Sequence, residues 1–162
     1  MAATTDAATV AAERELVITR VFDAPRRLVF KAWTAPEHLV LWWGPRGFAT
    51  ISGRIDVRPG GAWFRVMRAP DGSEHRKRGI YREIVEPERL IFTYQTEDAE
   101  GNSGPETLVT VTFADLDGKT RLTLHQALFE SVAERDSHRD GWMGCLERFA
   151  EYLEDGWVDA AA

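Results

Sequence analysis

The segment that most constrains the fold lies near the C-terminus, where residues 131–155 have the spacing of a single long amphipathic helix. Its apolar side chains recur at helical intervals and form one wide stripe, made of Trp142, Cys145, Leu146, Phe149, Tyr152 and Leu153. The opposite side is predicted to be polar, with Arg139, Glu147, Arg148, Glu151 and Glu154. Ser131 followed by Glu134 is typical of a helix start, and Gly156 of a helix end. A helix of this kind requires a broad apolar surface to cover it.

The chain between residues 48 and 128 has the pattern of β-strands, which would supply that surface. Six strands are predicted, over residues 48–57, 62–68, 74–84, 89–96, 107–114 and 120–128, with a bulge or bend at Gly53. Tight turns between most of them imply antiparallel pairing. The side chains on the inward face are predicted to be Leu90, Phe92, Tyr94, Val109, Val111, Phe113, Leu122, Leu124, Gln126 and Leu128.

Ahead of these strands the sequence predicts one further strand and two short helices. The strand covers residues 15–22, with Leu16 and Ile18 alternating with polar neighbours and Val21 as a further apolar candidate. Residues 26–33 and 37–42 then form the helices. The predicted fold class is therefore α+β, with a curved antiparallel sheet wrapped around the C-terminal helix.

Length and composition favour one soluble domain. The chain has 162 residues, of which 44% are hydrophobic and 28% charged. We expect a domain over residues 14–157, between a flexible tail at 1–13 and a short tail at 158–162. Scattered Lys and Arg with a net charge of −6 argue against nucleic acid, and no apolar run could span a membrane. Because the start lacks a signal-peptide pattern, the expected compartment is the cytoplasm.

Several short motifs, in this order, resemble a known family. They are residues 23–25, Val29, Phe30, Ala32, Trp33, residues 43–45, 56–61 and 67–72, Gly79, Tyr81, Glu83, Ile84, residues 87–93, Gly141 and Trp142. Together they resemble the single-domain bacterial relatives of the C-terminal domain of the activator of Hsp90 ATPase (AHSA1-like). Those proteins belong to the START-like (SRPBCC), Bet v 1-like superfamily. The resemblance implies a helix-grip fold, in which a sheet curls around the C-terminal helix and often leaves a cavity for an apolar or amphipathic molecule.

The first functional hypothesis is therefore the binding of a small hydrophobic or amphipathic ligand between the helix and the concave sheet. The candidate ligand-binding residues are Trp33, Trp43, Trp63, Tyr81, Tyr94, Gln126, Trp142 and Phe149. The facing of Trp63 and Tyr81 is left open by their strand positions. The buried amide of Gln126 needs a partner, which we expect to be a ligand or water if a cavity exists and a backbone group otherwise.

Two other readings stay open. One is a chaperone partner, although the chain has no room for the additional N-terminal domain of the eukaryotic co-chaperone. The other is an enzyme of the cyclase or hydratase type, which would need an acid or base in the cavity, such as Tyr94 or a carboxylate near Glu83. An exposed edge strand could also pair two copies of the chain.

No catalytic, metal or cofactor motif is recognised. Cys145 is interpreted as an apolar filler of the helix stripe, because no histidine is placed to activate it. His138 is interpreted as part of a solvated face near the helix start, together with Asp136 and Asp140. Trp42 is expected to clamp the two short helices onto the sheet. Gly141 marks either a close approach of the helix to the sheet or room for a ligand.

Overall fold

The computed structural model describes residues 14–98 and 100–157, so the predicted tails at 1–13 and 158–162 lie outside the described residues. The elements follow the predicted order. They are β1 (Leu16–Phe22), α1 (Arg26–Thr34), α2 (Pro36–Trp42), β2 (Ala49–Ile55), β3 (Ala62–Arg68), β4 (Glu74–Val85), β5 (Arg89–Glu97), β6 (Thr107–Leu116), β7 (Lys119–Ala127) and α3 (Val132–Tyr152), with a π-helical turn over Leu153–Trp157.

The strands form one antiparallel sheet of seven, in the order β1-β7-β6-β5-β4-β3-β2. The sheet curves around α3, which confirms the predicted α+β helix-grip fold. The register of β2 on β3 shifts between Thr50 and Ser52, whereas Gly53 pairs regularly with Arg65. Of the bulge or bend predicted at Gly53, the bulge was therefore wrong, and the bend stays a prediction. A side chain at Gly53 would instead begin 2.9 Å from the Phe64 carbonyl oxygen. The edges of this sheet are β1 and β2, and pairing of two copies through either stays a prediction.

Aromatic side chains hold the helices on the sheet. Trp42 is fully buried, and its indole Nε1–H donates to the Ala32 carbonyl at 3.1 Å, which ties α2 to α1. Phe149 of α3 packs with its ring centroid 5.0 Å from that of Phe22 in β1 and 4.5 Å from that of Trp42. The helix pair, the first strand and α3 therefore share one core.

The inward face is confirmed from Leu90 to Gln126, but the prediction fails at two strand ends. Leu128 has φ of +75° and is 63% exposed, because the chain leaves β7 after Ala127 and the alternation stops there. Phe129 is buried in its place. In β1 the alternation runs through Leu16 and Ile18 to Phe22, so that Val21 faces outward.

The start of α3 agrees with the prediction, whereas its end and one side differ from a simple amphipathic helix. Ser131 Oγ accepts a hydrogen bond from the Glu134 backbone N–H at 3.1 Å, as the cap motif predicted. The α-helix ends at Tyr152, and Gly156 lies within the π-helical turn instead of stopping the helix. Arg148, predicted on the polar side, donates to the Gly44 and Pro45 carbonyls at 3.1 and 3.2 Å and ties α3 to the loop after α2. Within the described part of the chain, no helix is long and apolar enough to cross a membrane.

Candidate functional site

A cleft of about 220 Å³ lies between the first half of α3, the loop after α2, and strands β3 to β5. Four groups on the strands line it, namely Met67, His75, Lys77 and Tyr94. The loop contributes Trp43, Gly44, Pro45 and Phe48, and the helix contributes Ser137, His138, Gly141, Trp142 and Cys145. The cleft is therefore aromatic in character with a few polar groups, and it occupies the predicted place between helix and sheet.

Two indoles form the aromatic wall of the cleft. The ring of Trp142 is nearly parallel to that of Trp43, at a centroid distance of 6.4 Å and an angle of 19°. On its other side it is nearly parallel to Trp33, at 6.2 Å and 22°. Both indoles are nearly buried, at 6% and 4% exposure, and packing against neighbouring rings restricts rotation of the side chains. Trp43 and Trp142 thus form a rigid aromatic platform on one wall of the cleft.

Gln126 holds one of these indoles in place. The Trp142 Nε1–H donates to Gln126 Oε1 at 2.8 Å, and Gln126 Nε2 donates to Thr107 Oγ1 at 2.9 Å. The Thr107 hydroxyl in turn donates to the Tyr94 carbonyl at 2.7 Å. Because an indole N–H can only donate, this orientation of the amide follows from the network. Side chains therefore supply partners for both ends of this buried amide, and Gln126 positions Trp142. A direct contact of Gln126 with a ligand stays a prediction.

Lys77 and Tyr94 bring polar atoms to the strand side of the cleft. Lys77 Nζ donates to Thr96 Oγ1 at 3.0 Å and lies 5.9 Å from the centroid of the Tyr94 ring. Burial lowers the pKa of Lys77 from its ordinary value, and burial raises the pKa of Tyr94. The Tyr94 hydroxyl stays neutral near pH 7 and can donate a hydrogen bond, but it is a poor base.

His138 lies on the cleft and not on the solvated face that the sequence suggested. Its ring packs against those of Phe129 and Tyr94, at centroid distances of 5.0 and 5.8 Å. Its Nδ1 lies 3.0 Å from the Glu134 carbonyl, so this nitrogen carries the proton in the neutral ring. Burial lowers the pKa of His138. His138 is four, seven and eleven residues before Trp142, Cys145 and Phe149, and this helical spacing could have placed it on the buried stripe.

A second cavity of about 210 Å³ lies beside the first, and His138 and Tyr94 line both. Its remaining lining residues are Thr96, Pro105, Thr107 and Glu134. The two cavities differ in charge, because Glu134 places a carboxylate in the second, whereas no carboxylate of residues 14–98 and 100–157 lines the first.

Arg65 lies behind the aromatic wall. It is 1% exposed, and its guanidinium carbon sits 4.5 Å from the centroid of the Trp43 ring. The guanidinium donates to the Trp43 carbonyl and to Thr50 Oγ1, while its Nε–H has no acceptor among the described residues. Burial lowers the pKa of Arg65 to about 10, which still leaves it charged at neutral pH.

Cys145 and the described carboxylates show no catalytic arrangement in the cleft. Burial raises the pKa of the Cys145 thiol to about 11, and its Sγ accepts a hydrogen bond from the Gly44 N–H at 3.4 Å. Glu83 pairs with Arg89 Nε at 2.9 Å and does not line the cleft. In residues 14–98 and 100–157, no group of three His, Cys, Asp or Glu side chains could hold a metal ion.

The structure separates the eight predicted ligand-binding residues into two groups. Trp43, Tyr94 and Trp142 line the larger cleft. The others are buried without lining either cavity, namely Trp33, Trp63, Tyr81, Gln126 and Phe149. Trp63 and Tyr81, whose facing was open, both point into the core at 2% exposure. As direct ligand contacts these five stay untested predictions.

Sequence reasoning did not select Lys77, Arg65 or Met67. Lys77 is four residues before Tyr81 on β4, and Arg65 and Met67 are two and four residues after Trp63 on β3. The two-residue period of a strand puts each set on one face. Once Trp63 and Tyr81 are known to face inward, these side chains must do so as well.

Comparison with known proteins agrees with this architecture. A family model described as "Activator of Hsp90 ATPase homolog 1-like protein" matches residues 23–154. A solved structure of the AHSA1 protein from Silicibacter pomeroyi is similar with a TM-score of 0.81 and 25% identity, covering 86% of this chain and 97% of that one. A protein from Chromobacterium violaceum has a TM-score of 0.77 and 28% identity, covering 87% and 97%.

A third solved structure, of a protein from Nitrosomonas europaea, has a TM-score of 0.76 and 25% identity and covers 91% of this chain and 98% of that one. The comparison with curated proteins found no significant match. The similarity therefore extends over nearly the whole length of these structures, but their printed descriptions name no ligand.

Proposed function

We propose, on the premise that this chain belongs to the family of Activator of Hsp90 ATPase homolog 1-like proteins, that it binds a small hydrophobic or amphipathic molecule. The ligand occupies the cleft between α3 and the concave side of the START-like (SRPBCC) sheet. The observation that supports this most directly is the cleft itself, with its platform of Trp43 and Trp142 and its polar groups Lys77, Tyr94 and His138. Ligand sites commonly combine an apolar lining with a few polar groups in this way.

The volume of the cleft limits the size of the ligand. Pockets for drug-sized molecules commonly measure about 300–1,000 Å³, and this cleft measures about 220 Å³. An apolar cavity of about 150 Å³ is large enough for benzene. The ligand is therefore a compact molecule, such as a substituted or fused aromatic ring, that lies flat on the two indoles.

Gly141 provides the means to test this role. A side chain at this position would begin 3.9 Å from Pro45 Cγ, its nearest neighbour, so the helix does not press on the sheet here. Gly141 lines the cleft and Gly144, one turn later, does not. Substitutions at Gly141 therefore fill the cleft from the helix side, and Gly144→Ala is the matched control.

The experiment is a titration with the neutral dye N-phenylnaphthylamine, whose fluorescence rises in apolar surroundings. We expect saturable binding at one site per chain, weakened stepwise by Gly141→Ala, Gly141→Leu and Gly141→Phe, with a loss of about tenfold or more (~1.4 kcal/mol) for the last. Gly144→Ala should bind like the wild type. Absence of saturable binding, or unchanged binding by a folded Gly141→Phe protein, would count against the proposal.

A further inference from the structure

Three cations line the larger cleft or lie directly behind its wall and at its rim. Lys77 lines the cleft, Arg65 lies behind the Trp43 ring, and Arg148 reaches the Gly44 and Pro45 carbonyls at its rim. None of the described carboxylates lines the cleft. This contrasts with the chain as a whole, whose formal net charge is −6. The cleft is therefore a locally positive site in an acidic protein.

The positive charge of Arg65 is not neutralised by the protein. Among the described residues, no carboxylate lies within ion-pair distance of its guanidinium, and its Nε–H lacks an acceptor. Buried charges are usually paired, because removing a charge from water is costly. Here the Trp43 carbonyl and the face of the Trp43 ring are the compensating groups. The field of this cation extends through the ring into the cleft, where it favours an anion.

Lys77 is placed to contact such an anion directly. An ammonium has three N–H donors, of which one is used here in the bond to Thr96. Lys77 likewise makes no ion pair with a described carboxylate. Its position on the wall of the cleft, near Tyr94 and opposite the indoles, gives an amphipathic ligand a polar end and an apolar end.

We infer, building on the binding role proposed above, that the ligand is an anionic amphipath, a compact aromatic acid or similar carboxylate. Its apolar body lies against Trp43 and Trp142, and its anionic group accepts a hydrogen bond from Lys77 Nζ. The second cavity does not suit this group, because Glu134 would repel it. The anionic ligand therefore binds in the larger cleft and not in the second cavity.

The test uses probes of one shape that differ in charge: naphthoate, naphthamide and naphthamidine, with the same substitution on the ring. Each displaces N-phenylnaphthylamine from the wild type, from Lys77→Gln, from Lys77→Arg and from Lys119→Gln. Lys119 is an exposed lysine at the start of β7, away from the cleft, so its substitution removes the same charge from the chain without touching the site.

For the wild type we expect naphthoate to bind at least about tenfold more tightly than naphthamide, the range of a charge-assisted hydrogen bond, and naphthamidine to bind most weakly. Lys77→Gln should remove most of the preference, Lys77→Arg should keep it, and Lys119→Gln should leave it unchanged. Added salt should weaken naphthoate binding and leave naphthamide binding nearly constant.

The outcomes separate this inference from the proposed function. If the dye binds but naphthoate and naphthamide compete equally, the anionic ligand is wrong and the binding site stands. If Lys77→Gln keeps the preference for naphthoate, the contact between the anion and Lys77 is wrong. If the dye itself does not bind the wild type, both fail together.

Discussion

The two sides of the curved sheet present different surfaces to α3. On one side, β1, β6 and β7 present a mainly apolar face, on which Val109, Val111, Leu122 and Leu124 are fully buried. The buried polar side chains on this face, Thr107, Thr120 and Gln126, are hydrogen-bonded within the protein. On the other side, β3, β4 and β5 turn Arg65, Lys77 and Tyr94 toward the same interior. We call these the packed half and the cleft half.

The difference shows how one sheet combines stability with a binding site. Alternation of apolar residues lets the packed half close against α3, because its few buried polar side chains find partners within the protein. In the cleft half the polar heads cannot be enclosed without partners, so space remains beside Lys77 and Tyr94. Gln126 stands at the junction, since it lies on β7 and its amide bonds to Trp142 at the cleft.

The largest loss of stability is expected for a substitution in the packed half. Phe149→Ala removes a fully buried ring that contacts Phe22 and Trp42, and should lower the free energy of unfolding by about 3–5 kcal/mol. Tyr94→Phe in the cleft half should change it by only about 0.5 kcal/mol, because the hydroxyl makes no hydrogen bond with a described residue. Urea unfolding of both variants measures the contrast. Equal losses would contradict the division into two halves.

A smaller loss of stability is expected at Gln126, where the two halves meet. Gln126→Leu leaves the buried Trp142 Nε1–H without its acceptor and should cost about 1–3 kcal/mol of stability. The dye affinity should also fall, since Trp142 is no longer held beside Trp43. Trp142→Phe removes the donor, so adding Gln126→Leu to that variant should cost less than it does alone. Additive losses in this double-mutant cycle would show that the hydrogen bond does not couple the two residues.

The contrast between the halves also explains what the sequence could predict. In β6 and β7, apolar and polar residues largely alternate, so the inward residues that were predicted from Val109 to Gln126 are confirmed. Thr107 and Thr120 are buried on the same face but were not predicted there, because their side chains are polar. The order of elements and the cap at Ser131 followed from equally local signals. The strand ends were less predictable, because Leu128 leaves the sheet through a positive φ that leucine rarely adopts.

In the cleft half the pattern is ambiguous for a physical reason. The inward face of β3 carries Trp63, Arg65 and Met67, and that of β4 carries Lys77 and Tyr81. Each inward face contains a cation, so hydrophobicity does not tell it from the outward face. The site residues lie where the alternation is broken, and only the sheet register resolves which way they point.

A third and smaller change in stability is expected for two glycines on α3. Only one of the two substitutions should also change ligand binding. Gly141→Ala and Gly144→Ala should each raise the free energy of unfolding by about 1 kcal/mol, since alanine favours the helix and neither added methyl group meets a close neighbour. Only Gly141 lines the cleft, so only its variant should bind N-phenylnaphthylamine more weakly. Thermal unfolding and dye titration of the pair measure both properties. A Gly144→Ala protein with equally weakened binding would mean that the stiffer helix, and not the smaller cleft, reduces the affinity.

The smallest expected effect is the contribution of His138, in the cleft half, to the pH dependence of the free energy of unfolding. Burial lowers its pKa below the ordinary value of 6.5, with the Lys77 charge acting in the same direction and the Glu134 carbonyl opposing it. The unfolded chain therefore binds more protons as the pH falls through about 6.5, and stability that is present above this pH is lost below it. His138→Asn should make the free energy of unfolding fall less steeply between neutral pH and the acid side.

His38 on α2 sharpens that measurement, because burial lowers its pKa as well, although Glu37 opposes the shift. His38→Asn should also make the free energy of unfolding fall less steeply below neutral pH. In the double variant the two reductions in slope should add, since the two rings lie on different helices and are not hydrogen-bonded to each other.

The two histidines should differ in their effect on ligand binding. His138 lines the cleft with Lys77, so its protonation adds a positive charge there and should strengthen naphthoate binding as the pH falls, whereas His38 should leave naphthoate binding unchanged. If naphthoate affinity is constant with pH in the wild type, or keeps its pH dependence in His138→Asn, protonation of His138 does not affect anion binding in the cleft.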